Sequence, residues 1–133
     1  MSQENVEVVR KGLALYNRRD FEALQALNHP DVELDWSASR APYAGVYRGW
    51  PEVLRFYKNV FAEVFEENVI EPERFIESGD SVIVPNTGQV RGRDGIHAVA
   101  RSAFVFEVRG GRIARIRLYQ ETREALEAFG LSE

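Results

Sequence analysis

The chain has no cysteine, and histidine is nearly as scarce, with only His29 and His97 present. Disulfides, thiolate nucleophiles and thiolate zinc sites are therefore excluded. Two histidines far apart show no metal-ligand spacing, so neither a metal nor another cofactor is expected. Lysine is confined to Lys11 and Lys58, which leaves the positive charge to arginine. No apolar run approaches the roughly 20 residues that a membrane-spanning helix needs. The opening Met1-Ser-Gln-Glu-Asn-Val-Glu7 lacks the basic and apolar regions of a signal peptide, so a cytoplasmic location is expected and no membrane partner. Repeats, low-complexity tracts and linkers are absent as well.

What remains is the composition of one soluble domain spanning residues 1–133, with 44% hydrophobic and 29% charged residues. A net charge of −4 disfavours nucleic acid as a partner. The arginines nevertheless crowd the last third, at Arg91, Arg93, Arg101, Arg109, Arg112, Arg115, Arg117 and Arg123. No aromatic residues interleave them as a base-stacking surface would require. They read as the charged outer face of a sheet, paired with acids locally or across a subunit interface.

Val6, Val9, Leu13 and Tyr16 recur at helical spacing and predict a helix over Val6–Arg18. Asp20 is a good N-cap for a shorter helix holding Phe21, Leu24 and Leu27, which His29-Pro30-Asp31 should end. Val32–Ser37 alternates as a strand, with Val32, Leu34 and Trp36 on one face. A loop containing Pro42, Tyr43 and Tyr47 follows. Pro51 opens a third helix whose apolar pattern runs to Phe65. Residues 68–77 read as one strand interrupted at Pro72, and Ser81–Val90 as the next. Ile96–Arg109 and Arg112–Gln120, joined by Gly110-Gly111, read as a long hairpin, because glycine accepts the positive φ of tight hairpin turns. A terminal helix over Thr122–Phe129 closes the chain. Helices first and antiparallel strands after make an α+β pattern. Long strands that curl around helices leave a conical cavity.

In the hairpin, Ala98, Ala100, Ser102, Phe104, Phe106 and Val108 form the row expected to face inward, with His97, Val99, Arg101, Ala103, Val105 and Glu107 outside. On the second strand Ala114, Ile116, Leu118 and Gln120 are expected inside.

Residues Tyr16-Asn17-Arg18-Arg19-Asp20, His29-Pro30-Asp31-Val32-Glu33 and Val46-Tyr47-Arg48-Gly49 resemble the NTF2-like superfamily, in particular its bacterial SnoaL-like branch of polyketide cyclase relatives. Gly110-Gly111-Arg112-Ile113, Tyr119 and Glu124-Ala125-Leu126 resemble the same branch. The resemblance spans nearly the whole chain. It implies an α+β cone, a curved antiparallel or mixed sheet wrapped around N-terminal helices with a deep pocket. A homodimer through the outer sheet face is also implied. It does not fix an activity, because the fold hosts isomerases, cyclases, epoxide hydrolases, dehydratases and non-catalytic binding domains.

The catalytic groups of similar families are largely missing. Against the ketosteroid isomerase pattern, the tyrosine position falls on Gly12, the base on Trp36 and the protonated acid near Phe104. The supporting helix tyrosine matches Tyr57. The Asp-Arg-Asp set of limonene-type epoxide hydrolases has no inner aspartate here, and Arg101 and Arg117 fall on the outer row. The cyclases' Asp and His chemistry would fall to His97, which is also outside.

The pocket is thus expected to be lined by Tyr16, Trp36, Phe56, Tyr57, Phe61, Ser102, Phe104, Phe106, Leu118 and Gln120. Asn86 is a further polar group on an inward row. Such a lining suits a small, mostly apolar, cyclic or aromatic ligand. Asp35, Tyr57 and His97 are the acid–base candidates for proton-transfer chemistry of isomerase, cyclase or dehydratase type. Each has a plainer reading: an exposed strand carboxylate, a packed core phenol, a strand-edge histidine. A binding domain without chemistry and a dimerisation module are the alternatives.

Overall fold

A computed structural model of the chain describes residues 2–40 and 43–132, the side chains of Ser2, Phe61 and Ala62 excepted. Helix α1 (Ser2–Asn17) buries Val6, Val9 and Leu13, the stripe that the spacing predicts. Arg19 then takes a left-handed φ of 57° and turns the chain. The Asp20 carboxylate accepts from the Ala23 amide at 3.2 Å and caps α2 (Phe21–Leu27).

His29-Pro30-Asp31 ends α2 as expected, but not as a turn. Strand β1 (Asn28–Asp35) begins at once and includes all of it. Pro30 is tolerated because the ladder between β1 and β7 is interrupted between Asn28 and Glu33. The His29 ring Nδ1 accepts from the Asp31 amide at 3.0 Å, a local structural bond. The expected loop follows, with Pro42 outside the described residues, and ends in the short strand β2 (Val46–Arg48).

Helix α3 (Trp50–Asn59) carries Pro51 in its first turn and buries Trp50, Val53, Phe56 and Tyr57. It stops earlier than the apolar pattern suggests. Val60–Val64 widens into a π-helix and feeds directly into β3 (Phe65–Pro72). Apolar spacing over five residues does not distinguish an i→i+5 bond from i→i+4, so the change was hidden. The single strand expected over residues 68–77 is divided, with β3 ending at Pro72 and β4 (Ile76–Ser78) following. Proline, lacking an N–H, ends the ladder there.

The meander then runs through β5 (Ser81–Gly92), β6 (His97–Arg109) and β7 (Arg112–Tyr119). Gly110 and Gly111 take φ of 57° and 78°, as a tight hairpin turn requires. The sheet order is β2-β1-β7-β6-β5-β3, with β4 beside β5. Only β1 and β7 pair in parallel, so the sheet is mixed.

Residues of α1, α2 and α3 share one core with the inner sheet face, including Val82, Val84, Phe104, Phe106 and Val108. The inward row of β6 is therefore real from Phe104 onward. Ala98 and Ala100, expected inside, are exposed because that end of β6 extends past the helices. On β7 the expected parity fails at its start. Glu107 pairs with Arg115 but Val108 pairs with Ile113, which leaves Ala114 as a bulge. Ile113 thereby turns inward in place of Ala114, while Ile116 and Leu118 keep their expected side.

The outer face is not the purely charged surface that the arginine count suggests. Helix α4 (Thr122–Ala128) lays Ala125 and Leu126 onto Ile83, Ala103 and Val105. Several of the arginines are paired locally with acids. Arg101 meets Glu73 at 2.8 Å, Arg91 meets Glu66 and Glu67 at 3.5 and 3.4 Å, and Arg115 meets Glu33 at 3.1 Å.

Candidate ligand-binding cavity

The inner sheet face and the helices enclose a cavity between them. Helix α1 supplies Gly12, Leu13 and Tyr16, α2 and β1 supply Leu24, Asn28 and Leu34, and α3 with its π-helical extension Phe56, Tyr57 and Val60. Trp36 and Tyr43 close it from the loop after β1. The sheet contributes Phe65, Asn68, Ile70, Phe104, Phe106, Ile113 and Ile116. The interior is tight. About 60 Å³ is open to the centre of a water molecule, inside about 640 Å³ of empty space counted out through the mouth.

Aromatic contacts set the walls. Trp36 stacks on Phe104 with centroids 5.3 Å apart and meets Phe56 at 6.0 Å. Tyr57 packs edge-on against Tyr16 at 5.2 Å and stacks on Phe21 at 5.7 Å. Tyr43 leans on Phe56 at 5.8 Å. Tyr43, Phe56 and Val60 also border a shallower groove outside, so they form the partition between it and the interior.

Among the described residues, no acidic, basic or histidine side chain lines this cavity. Its ionisable groups are Tyr16, Tyr43 and Tyr57. Burial pushes all three phenols above their ordinary range; proximity to Tyr57 and Tyr43 adds to the effect at Tyr16, and proximity to Tyr47 does so at Tyr43. They stay protonated at neutral pH, able to donate a hydrogen bond but not to act as a base. The remaining polar groups are amides. Asn68 Nδ2 donates to the Tyr16 hydroxyl at 3.1 Å, and Asn28 Nδ2 donates to the Leu24 carbonyl at 2.8 Å.

The residues expected to line the pocket separate into groups. Tyr16, Trp36, Phe56, Tyr57, Phe104 and Phe106 converge on the cavity. Leu118 is buried in the same core but does not reach the cavity. Ser102 and Gln120 do not line it either. Ser102 donates to the Oδ1 of Asn86 at 3.2 Å, Gln120 Nε2 donates to the Ala38 carbonyl at 2.9 Å, and both border an open groove beside Arg123. They lie past the end of β7, where the helices no longer cover the sheet. Asn86 is enclosed away from the cavity, its Nδ2 bonded to the Val84 carbonyl at 3.0 Å. The side chain of Phe61 lies outside the described residues.

Of the acid–base candidates only Tyr57 faces the cavity. Asp35 points to the outer sheet face, as its parity implies, and is neither at the mouth nor exposed. Its carboxylate accepts from the Ser37 hydroxyl at 2.6 Å and amide at 3.1 Å, and lies 3.4 and 3.6 Å from Arg115 and Arg117. Burial alone would raise Asp35, but the Ser37 bonds and the two guanidiniums outweigh it and hold the group below the usual carboxylate range. His97 is exposed at the far end of β6. Gly12, Trp36 and Phe104, the positions set against the ketosteroid isomerase pattern above, line the cavity. No group of three or more His, Cys, Asp or Glu that could hold a metal ion occurs among the described residues.

Sequence reasoning missed Asn28, Asn68, Tyr43 and Ile113. Parity along β3 would have given Asn68, because it alternates with inward Ile70. Tyr43 sits on a loop without periodicity and left no such signal.

A family model described as SnoaL-like domain matches residues 9–116. A search of curated proteins finds no match. Among solved structures, an NTF2-like protein of unknown function from Burkholderia pseudomallei is 28% identical over 97% of this chain and 98% of its own, with a TM-score of 0.81. TerC, co-crystallised with polyporic acid, is 26% identical over 95% of this chain and 97% of its own, with a TM-score of 0.79. A Mycobacterium tuberculosis protein in complex with estradiol-17β-hemisuccinate is 18% identical, covering 89% of this chain and 94% of its own at a TM-score of 0.76, and shares the fold.

Proposed function

The chain belongs to the SnoaL-like domain family, and we propose that its cavity binds a small, uncharged, ring-bearing molecule. The observation that carries this reading is the lining. Aromatic and aliphatic walls surround neutral phenols and amides, and no lining side chain offers a charge to neutralise an ionic ligand. The complex of TerC with polyporic acid supports small-molecule binding on this fold at comparable identity.

Binding without acid–base catalysis is the function that these groups support best. Asp35 is committed to arginines on the outer face and His97 is in solvent, so neither reaches a ligand in the cavity. Epoxide hydrolysis of the Asp-Arg-Asp type has no residues to run on there. Any proton donated within the cavity would come from one of its phenols, Tyr16, Tyr43 or Tyr57. We place a homodimer contact on the outer sheet face beyond α4. There Val69, Gln89 and Val99 are cross-strand neighbours, and Val99 is 59% exposed.

Neutral acetophenone and anionic benzoate, rings of one size, test the reading by titration at pH 7 with indole fluorescence as the readout. Acetophenone is expected to bind and perturb Trp36, with benzoate at least about tenfold weaker because the cavity has no cation for it. Equal affinities would contradict an uncharged site.

A further inference from the structure

Among the described residues, two side chains of the cavity wall that are nine-tenths buried each leave a polar atom without a hydrogen-bond partner. Tyr57 is 8% exposed and Asn28 4%, so both are more than nine-tenths buried. Asn28 Nδ2 is committed to the Leu24 carbonyl at 2.8 Å. That bond fixes the amide's orientation and leaves its Oδ1, an acceptor, as the free end. Among the described residues Oδ1 has no hydrogen-bond donor, and the Tyr57 hydroxyl has no acceptor. Tyr16 is different, because its hydroxyl is already engaged by Asn68.

Neither free atom is sealed in protein. Among the described residues, the side-chain atoms that are both enclosed and without a hydrogen bond are Trp50 Nε1 and Arg115 Nε, the latter 3.1 Å from the Glu33 carboxylate. The Tyr57 Oη and Asn28 Oδ1 are not among them. Both residues line the cavity, so these atoms open onto its space. A donor and an acceptor that face the cavity without a protein partner are available to a ligand, whose groups exchange with water there.

We propose that the ligand of this cavity carries an acceptor and a donor on one uncharged ring, a hydroxylated aromatic ketone or its like. Its carbonyl oxygen takes the Tyr57 proton in a hydrogen bond, and its hydroxyl donates to Asn28 Oδ1. The proposal rests on the reading of the cavity as a binding site for uncharged rings and specifies which rings it selects. Specificity follows from the polar pair, because apolar walls alone discriminate weakly between rings that differ by a hydroxyl.

The test is a set of probes of similar size: acetophenone (acceptor only), phenol (hydroxyl only) and the 3- and 4-hydroxyacetophenones (both). At least one hydroxyacetophenone is expected to bind about tenfold tighter than acetophenone, the worth of one good hydrogen bond to a buried partner. Tyr57→Phe should remove about tenfold from acetophenone and hydroxyacetophenone. Asn28→Ala should cost the hydroxylated probes about tenfold more than it costs acetophenone. If Asn28→Ala does not fold, the ranking of probes on the wild-type chain decides. A hydroxyl that adds nothing in either position, or an Asn28→Ala variant that weakens acetophenone as much as the hydroxylated probes, would overturn the proposal while leaving the cavity reading intact. Failure of acetophenone itself to bind would overturn both.

Discussion

Phe104→Asp is expected to unfold the chain at room temperature. Phe104 is 5% exposed, stacked on Trp36 at 5.3 Å and edge-on to Phe106 at 6.2 Å. Truncating such a ring costs about 3–5 kcal/mol. The new carboxylate finds no cation in the wall, so it adds several kcal/mol more or takes up a proton. Together these rival the about 5–15 kcal/mol by which a domain of this size is stable. Far-UV circular dichroism and urea denaturation read the result. Phe104→Leu, which keeps an apolar group, should fold and lose much less. A Phe104→Asp variant with a wild-type urea midpoint would place Phe104 outside the core and dissolve the cavity with it.

Asn17→Ala is expected to cost about 2–4 kcal/mol, through two groups that lose their only cover. The Asn17 amide imitates a strand residue. Its Nδ2 donates to the Ile70 carbonyl at 2.8 Å, and its Oδ1 accepts from the Ile70 amide at 2.9 Å. Strand β3 is the edge of the sheet, so Asn17 supplies the pairing that no further strand provides. The same stretch continues the clamp, with Tyr16 bonded to Asn68 and the Arg19 guanidinium donating to the Glu66 carbonyl. Asn17→Asp keeps the acceptor but sets a carboxylate oxygen against the Ile70 carbonyl, so it should not recover the stability that alanine loses. Urea midpoints give the ranking, and hydrogen exchange at the Ile70 amide gives the location. Unchanged midpoints with undiminished protection at Ile70 would show the edge to be held by packing alone. Because β3 carries Asn68 and Ile70 into the cavity wall, loosening this edge should also weaken probe binding.

These positions show which parts of the architecture could be read from residues. The helix stripe of Val6, Val9 and Leu13, the Asp20 cap and the Gly110-Gly111 turn each rest on a local rule, and each holds. The aromatic half of the wall was legible for a similar reason, since Phe104 and Phe106 alternate on a long strand. The bulge at Ala114 was not, because alternation through Ala-Arg-Ile fits either parity. Its trace was there nonetheless, as Ile113 and Ile116 cannot face one side of a regular strand. Ala103 and Val105, apolar on the supposedly outer row, were likewise the trace of α4 lying across that face. Asn28 and Tyr43 reach the cavity only through the packing of the α2–β1 junction and the loop after β1. No periodicity announces either. Ser102 and Gln120 had the right parity but lie where the helices end, and parity says nothing about how far a sheet is covered.

Nuclear Overhauser contacts between acetophenone and the chain in solution bear most directly on whether this cavity is a binding site. The ring protons are expected to contact the side chains of Trp36, Phe104 and Phe106, with the methyl ketone near Tyr57. Contacts confined to Gln120, Thr122 and Arg123, along the open groove at the end of β7, would move the site to the surface and leave the cavity as packing space.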